Sequence, residues 1–199
     1  IHSPYPTGSS GDIRTYPNAQ GHGSWIRPAR IHTTGTYQNA SSNFFKDIPG
    51  LWFRLKANTK YIFKYNVAYR SPVTTTGIKI GLASASFGNG GTNGSNAEPR
   101  EFWATARTVT AAGETSGPIS GLNRTNVGSS LQPITSSILT STGVPTVNTN
   151  YLAQIDGYVF TGTGSLFLSA IWATEIENSN ITITSSWAEL EELNVLPSG

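Results

Sequence analysis

The chain has 199 residues, of which 12% are charged, with a formal net charge of +2 at pH 7 and no cysteine. So small a net charge argues against nucleic acid as a partner, because nucleic-acid binding needs Lys and Arg clustered on one face. No polybasic run and no apolar run near the ~20 residues of a membrane span occurs, so we expect no membrane contact. Without cysteine there is no disulfide or thiolate chemistry.

Residues 1–30, "IHSPYPTGSSGDIRTYPNAQGHGSWIRPAR", are predicted to form an extended arm. Repeated Pro and Gly break regular structure, yet the segment has more apolar residues than a solvated linker needs. The apolar anchors are Ile1, Tyr5, Ile13, Tyr16, Trp25 and Ile26. The arm lies either on a neighbouring subunit or folded over its own domain. Because the chain begins with Ile1 and has no Met, we expect a processed product or a piece of a longer one.

Residues 31–199 are predicted to form one β-sandwich domain. In 61–69, apolar and polar residues alternate over nine positions, which indicates a half-buried strand. Tyr61, Phe63, Tyr65, Val67 and Tyr69 share its apolar face. Residues 51–55 alternate in the same way, and "KANTK" (56–60) has the composition of a turn. The apolar residues Ile78, Ile80 and Leu82 indicate a further strand, which we predict to form a hairpin with the strand of 61–69.

The rest of the chain continues this pattern. Residues 87–97 have a loop composition, and 101–109 form a predicted strand with Phe102 and Trp103 on opposite sides. The Ser/Thr/Gly/Pro-rich stretch 111–150 contains weaker strands around Ile134 and Leu139. Further strands are predicted at 151–160, 164–173 and 180–184, with a hairpin turn at "GTGSL" (162–166).

"SWAELEEL" (186–193) has the composition of a short helix, but it follows a run of strands, which favours a strand. The count is about eight strands, and no segment has a sustained helical period. We therefore predict an all-β fold, an antiparallel, jelly-roll-like β-sandwich with an extended N-terminal arm.

Motifs that would carry catalysis are weak. His2, His22 and His32 match no compact metal motif. "GNGGTNG" (88–94) lacks the Lys and Ser/Thr ending of a phosphate-binding loop, and "GTGSL" lacks the second Gly of a nucleophile elbow. Five acids could suggest a glycosidase pair, but a solvated strand face is the favoured interpretation: Glu175, Glu177, Glu189, Glu191 and Glu192. We expect no catalytic residues, no metal and no cofactor.

Three tryptophans allow a functional interpretation. Trp103, Trp172 and Trp187 could form a sugar-binding or subunit-facing surface, since aromatic residues are enriched in such contacts. The alternative, that they belong to the core of the sandwich, is favoured.

Two stretches resemble a module of tailed-phage and prophage structural proteins. The first is "TGTYQNASSNFFKDIPGLWFRLKANTKYIFKYNVAYRSPVTTTGIKIGL", and the second is "TNYLAQIDGYVFTGTGSLFLSAIWATEIENSNITITSSWAELEEL". The similarity runs from Thr34 to Leu193 and is weakest between Phe87 and Val147. The arm departs from the family pattern.

This resemblance implies a non-enzymatic virion protein, located on a capsid or tail, that self-associates or decorates the particle. Expected partners are other virion proteins and copies of the chain itself, with a trimer as the default. Two alternatives stay open. One is a carbohydrate- or receptor-binding module of a fibre, with a host surface glycan as ligand, and the other is a subunit of an extracellular surface filament. An enzyme is the least favoured interpretation.

Overall fold

The alternating segments fold into strands in a computed structural model of the protein. The structure describes residues 29–33, 35–42, 45–86, 93–94, 99–119, 121–122, 126–127, 130–131 and 138–193. The strands are β1 (Ala29–Thr33), β2 (Tyr37–Asn39), β3 (Lys46–Leu55), β4 (Lys60–Arg70), β5 (Ile78–Ala83), β6 (Ala85–Ser86), β7 (Asn93–Gly94), β8 (Pro99–Thr110), β9 (Gly113–Ile119), β10 (Asn126–Val127), β11 (Ser130–Leu131), β12 (Ile138–Thr140), β13 (Tyr151–Thr161), β14 (Leu166–Thr174), β15 (Ile181–Ile183) and β16 (Ser186–Leu193). The described residues contain no helix, and so none with the length and apolar character of a membrane span.

The strands form two main antiparallel sheets. The large sheet has the order β1-β16-β4-β13-β8-β9, with β15 paired to β4 and β2 paired to β15. The small sheet has the order β12-β5-β14-β3. Two-residue strands form the separate pairs β6–β7 and β10–β11.

Eight of these strands have the connectivity of a jelly roll: β3, β4, β5, β8, β9, β12, β13 and β14. Counted along the chain, the first, third, sixth and eighth lie in the small sheet, and the other four lie in the large sheet. This distribution is that of two interleaved Greek keys, so the predicted antiparallel, jelly-roll-like β-sandwich is confirmed. The strand prediction for 186–193 is also confirmed, because β16 pairs with both β1 and β4.

The core lies between the two sheets. The apolar residues predicted to share one face of 61–69 are all buried, and so are those of β3 and β5. Tyr65 also links the sheets directly, because its hydroxyl donates a hydrogen bond to the Leu168 carbonyl at 2.7 Å. Burial raises the pKa of Tyr65 well above its ordinary value of 10.0, so this donor keeps its proton.

Both predicted hairpins are wrong. Strands β4 and β5 lie in different sheets, and so do β13 and β14. The connections 71–77 and 162–165 therefore cross from one sheet to the other. A hairpin and a crossing between two sheets look the same in the sequence. In both cases each strand alternates because one of its faces packs into the core, and in both cases turn residues join the two strands.

The loops at one end of the sandwich are joined by Glu175. Its Oε2 accepts hydrogen bonds from the backbone N–H groups of Gly77 and Gly143, each at 2.9 Å. Both positions need glycine. A Cβ on Gly77 would collide with the Ser141 carbonyl oxygen, and Gly143 has a φ of +77°.

Strand β1 begins at Ala29, two residues before the predicted domain boundary. Its residues pair with β16 from Ala29↔Leu190 to Thr33↔Ser186. The six apolar anchors of the predicted arm, Ile1, Tyr5, Ile13, Tyr16, Trp25 and Ile26, lie outside the described residues.

Candidate functional site on the outer face of the large sheet

The outer face of the large sheet carries polar and aromatic side chains in register. Successive strand residues point to opposite faces, so the buried residues of β4 and β13 leave their neighbours on the outside. Cross-strand pairing aligns these neighbours in rows. One row contains Arg30, Glu189, Lys64, Asp156 and Thr105, and the next contains Glu191, Ile62, Tyr158 and Trp103.

Charges alternate along the first row. Arg30 forms an ion pair with Glu189, and Lys64 Nζ lies 3.8 Å from Asp156 Oδ1. These pairs are partly exposed, so each contributes at most about 1 kcal/mol to stability. Their effect is to hold donors and acceptors side by side on an open surface.

Aromatic rings occupy one end of the second row. The Trp103 and Tyr158 rings stack, with centroids 6.1 Å apart and planes 18° apart. The Tyr158 hydroxyl donates to Glu101 Oε2 at 3.2 Å. Desolvation and the adjacent Glu101 carboxylate raise the pKa of Tyr158 above its ordinary value, which keeps this donor protonated. Trp103 itself is 59% exposed, so its indole is available to a partner or ligand.

A cavity of about 330 Å³ lies between these two rows. The paired residues Phe63 and Gly157 line it, together with the side-chain positions Ile62, Lys64, Trp103, Asp156, Glu189 and Glu191. Three carboxylates face one ammonium group here, so the cavity has an excess of negative charge. Gly157 is required beneath it, because a Cβ would meet Phe63 Cζ and would lie 2.6 Å from the Trp103 carbonyl oxygen.

A second cavity of about 570 Å³ adjoins the first. It is lined by Thr105, Ala106, Arg107, Ser116, Gly117, Pro118 and Asp156. Asp156 borders both cavities, so they lie side by side on the face formed by β16, β4, β13, β8 and β9. We call the two together the outer groove. Its aromatic wall and its closely spaced donors and acceptors suit the binding of a polar ligand with an apolar face.

The structure separates the three predicted surface tryptophans. Trp103 lines the outer groove, whereas Trp187 lies on the same face but borders neither of its cavities, and is 40% exposed. From the register, Trp187 is three strands and two rows away from Trp103, which is about 20 Å. The surface interpretation of Trp172 is wrong. This residue is 1% exposed. It lies on the inward face of β14 with Leu168 and Ala170, so its side chain belongs to the core.

The five predicted acids have different surroundings. Glu175 and Glu177 lie in the loop after β14 and bind backbone groups, since Glu177 Oε2 accepts from Ser42 N–H at 2.6 Å. Glu189, Glu191 and Glu192 lie on β16, and Glu192 pairs with Lys56 at 3.0 Å. A solvated strand face therefore describes Glu189 and Glu191, whereas Glu192, the register partner of buried Tyr61, lies on the opposite side of β16 at its end.

The predicted histidine positions give no metal site in the described part of the chain. His32 lies on β1 as the partner of Trp187, while His2 and His22 fall outside the described residues. No group of three His, Asp or Glu side chains among the described residues is placed to hold a metal ion.

Sequence reasoning missed Asp156, Tyr158 and Lys64 as members of a site. Their only signal is that each occupies an outward position in a strand with an apolar opposite face. They meet Trp103 only through the pairing of β8 with β13 and of β13 with β4.

The chain is thus a jelly-roll β-sandwich with an open groove on the outer face of its large sheet. No protein-family model matches the chain, and no curated protein matches it. Among solved structures, the chain is similar to infectious bursal disease virus of the Gt strain, with 11% identity and a TM-score of 0.24 over 95% of this chain and 48% of that one. It is also similar to the VP2 subviral particle of that virus, with 13% identity and a TM-score of 0.19 over 97% and 50% of the two chains. The chain thus spans about half the length of these viral chains, and at these TM-scores the likeness supports no argument about function.

Proposed function

We propose that this chain is a non-enzymatic structural module of a virion, which binds copies of itself and other virion proteins on a tailed-phage capsid or tail. One observation carries the proposal. Four large apolar side chains on the outer face of the large sheet are 39–59% exposed: Ile62, Trp103, Leu152 and Trp187. They are spread over one sheet face, with Trp103 and Trp187 at its two sides, and a partner covering that face would bury all four.

A second exposed apolar set supports the same function. Val73, Val147 and Ile176 are each 40–43% exposed. They belong to the loops 71–77, 141–150 and 175–180, which meet at the end of the sandwich joined by Glu175. A module with an apolar face and an apolar end can contact two neighbours in an assembly. The resemblance to phage structural proteins over Thr34–Leu193 agrees with this role.

The arm of residues 1–30 provides the contact between subunits in this proposal. Its Pro and Gly residues prevent a core of its own, so its apolar anchors gain about 25 cal/mol per Å² only when they are buried elsewhere. An extended segment gains main-chain hydrogen bonds and side-chain contacts together when it adds to a sheet edge. Strand β9 lies at one edge of the large sheet, and β3 at one edge of the small sheet. The pairing of β3 with β14 is irregular, because the register shifts between Ser169 and Ile171. Such an irregularity disfavours the addition of another strand to β3, so we expect the arm to add to β9. A trimer is the expected assembly.

The test compares the full chain with a protein truncated immediately before Ala29. Truncation at Ile31 would remove the Ala29↔Leu190 and Arg30↔Glu189 pairs of β1, so it would confuse a folding defect with an assembly defect. Circular dichroism reports folding, and analytical sedimentation with particle binding reports assembly. We expect the truncated protein to fold and to fail to assemble. Normal assembly without the arm would contradict the proposed mechanism, and loss of folding would show that the arm belongs to its own domain.

Point variants in the full chain show whether assembly needs the apolar side chains of the arm or only the presence of the arm. Trp25→Ser and Ile26→Ser together should weaken assembly, while Asn18→Ser should leave it unchanged. If both proteins sediment alike, the apolar anchors do not make the contact.

A further inference from the structure

We propose that the outer groove is a binding site for an uncharged oligosaccharide, with Trp103 as the stacking platform. A single chain forms this groove, so the inference can be tested without an assembly, although Trp103 and Ile62 also belong to the apolar face that the proposed function gives to assembly. It follows from the shape of the groove, the exposure of one indole, and the balance of donors and acceptors around it.

The indole of Trp103 is suited to a sugar ring. The ring stacks on Tyr158, whose hydroxyl donates to Glu101, and this contact restricts its orientation before any ligand arrives. Preorganisation of this kind reduces the entropy that binding costs. Ile62, 39% exposed, lies in the same row and adds a second apolar surface on the cavity wall. The apolar C–H face of one pyranose ring can cover Trp103, whereas Ile62 lies two strands and about 10 Å away.

The polar groups match hydroxyls. Carboxylates accept up to two hydrogen bonds at each oxygen and an ammonium group donates three, so the cavity can bond several hydroxyls at once. Asp156 and Lys64 lie 3.8 Å apart, close enough for both to contact neighbouring hydroxyls of one ring. Hydrogen bonds with an ionised partner are stronger than those between neutral groups.

The charge balance selects against acidic sugars near Trp103. Glu189, Glu191 and Asp156 line this cavity with Lys64, and Arg30 pairs with Glu189 from outside the lining, so the three carboxylates exceed the two cations by one charge. A carboxylated sugar would place a like charge among these groups, and such juxtaposition opposes binding. A neutral ring has no such penalty.

The length of the groove indicates more than one ring. Trp103 and Arg107 are four residues apart on β8, which is about 13 Å along the strand. Arg107 and Asp156 both line the second cavity and offer a donor and an acceptor there. At least two linked rings can therefore lie along β8, the first on Trp103 and the next between Arg107 and Asp156.

A cationic side chain of a neighbouring protein is the competing occupant. Carboxylates beside an exposed indole also suit an ammonium or guanidinium group through cation–π attraction. The second cavity argues against it, because Arg107 there would repel a second positive charge.

The experiment uses the full chain labelled on its indole N–H groups, with the Trp103 signal assigned from Trp103→Phe. Lactose, cellobiose, maltose and chitobiose are titrated separately, with sialyllactose as the acidic comparator and arginine amide as the cationic one. We expect at least one neutral disaccharide to shift the Trp103 signal saturably in the millimolar range or below. Because Trp103→Ala lacks the reporting indole, its affinity is measured by calorimetric titration beside the unaltered chain, and the binding should weaken by about tenfold or more, as for a buried aromatic contact. Sialyllactose should bind more weakly than lactose.

Trp187→Ala is the matched control, since Trp187 is exposed on the same face but outside the groove. It should leave the affinity unchanged, and circular dichroism should show both alanine variants folded. Saturable binding of arginine amide alone, no response to any neutral sugar, or equal losses from the two variants would each overturn the site. These results are separate from the sedimentation assay, so failure of the sugar site and failure of the assembly proposal are distinguishable.

Discussion

Removing the Glu175 side chain should loosen one whole end of the sandwich. Its carboxylate is the shared acceptor for the N–H groups of Gly77, before β5, and Gly143, in the loop after β12. The Glu175 N–H returns a bond to the Gly77 carbonyl at 2.9 Å. Glu175→Ala therefore leaves these two loop amides without their side-chain acceptor.

The magnitude follows from these two bonds. Each hydrogen bond to a charged group contributes about 1.5–3 kcal/mol when water cannot replace it. Glu175 is only half-buried, so water satisfies part of what is lost, and we expect a decrease of about 2–3 kcal/mol in the free energy of unfolding. Glu175→Gln retains an acceptor oxygen but no charge, so it should cost about half as much.

Urea unfolding measures the decrease, and amide hydrogen exchange locates it. Exchange of the Gly77 and Gly143 amides should accelerate in Glu175→Ala, while amides in the centre of β4 and β13 keep their protection. Glu114→Ala is the control, because Glu114 is an exposed acid at the start of β9, and it should change stability by no more than about 0.5 kcal/mol. If Glu175→Ala and Glu114→Ala unfold at the same urea concentration, Glu175 does not hold the loops together.

Three further predictions concern the core. Phe63→Ala should lower the free energy of unfolding by about 3–5 kcal/mol, because Phe63 is buried. Lys64→Ala, on the opposite face, should lower it by at most about 1 kcal/mol. Equal shifts in melting temperature would refute the register of β4. Gly157→Ala should lower the free energy of unfolding by about 1–3 kcal/mol through the clash with Phe63. Gly121→Ala is the control and should be neutral, because no atom lies within 4 Å of its added Cβ. Equal urea midpoints for the two variants would count against this close packing. The raised pKa of Tyr65 means that above pH 10 the unfolded chain loses this proton before the folded chain does, so stability should fall as pH rises. Tyr65→Phe should show a shallower fall in urea titrations at pH 9–11, and an unchanged slope would exclude Tyr65 as its source.

The sequence by itself determined the strands and the faces that they bury. Period-2 alternation in 51–55 and 61–69 predicted the core side of β3 and β4 correctly, because side-chain direction in a strand is a local property of the backbone. The same rule placed Phe102 and Trp103 on opposite sides of β8, and the structure agrees. The strand in 113–119 escaped notice because "GETSGPI" has few apolar residues, and cross-strand bonds to β8 hold it instead.

Only the tertiary structure decided which strands are neighbours, and therefore which surface residues meet. Strands β4 and β5 look like a hairpin in the sequence, yet they do not pair with each other. Instead β4 pairs with β13 and β5 pairs with β14, and both partners lie far along the chain. Trp103 and Trp172 look alike in sequence, but one lines the outer groove and the other closes the core. The outer groove joins Lys64, Trp103 and Asp156 from three strands, and no local pattern can encode it, because long-range hydrogen-bond register alone brings them together.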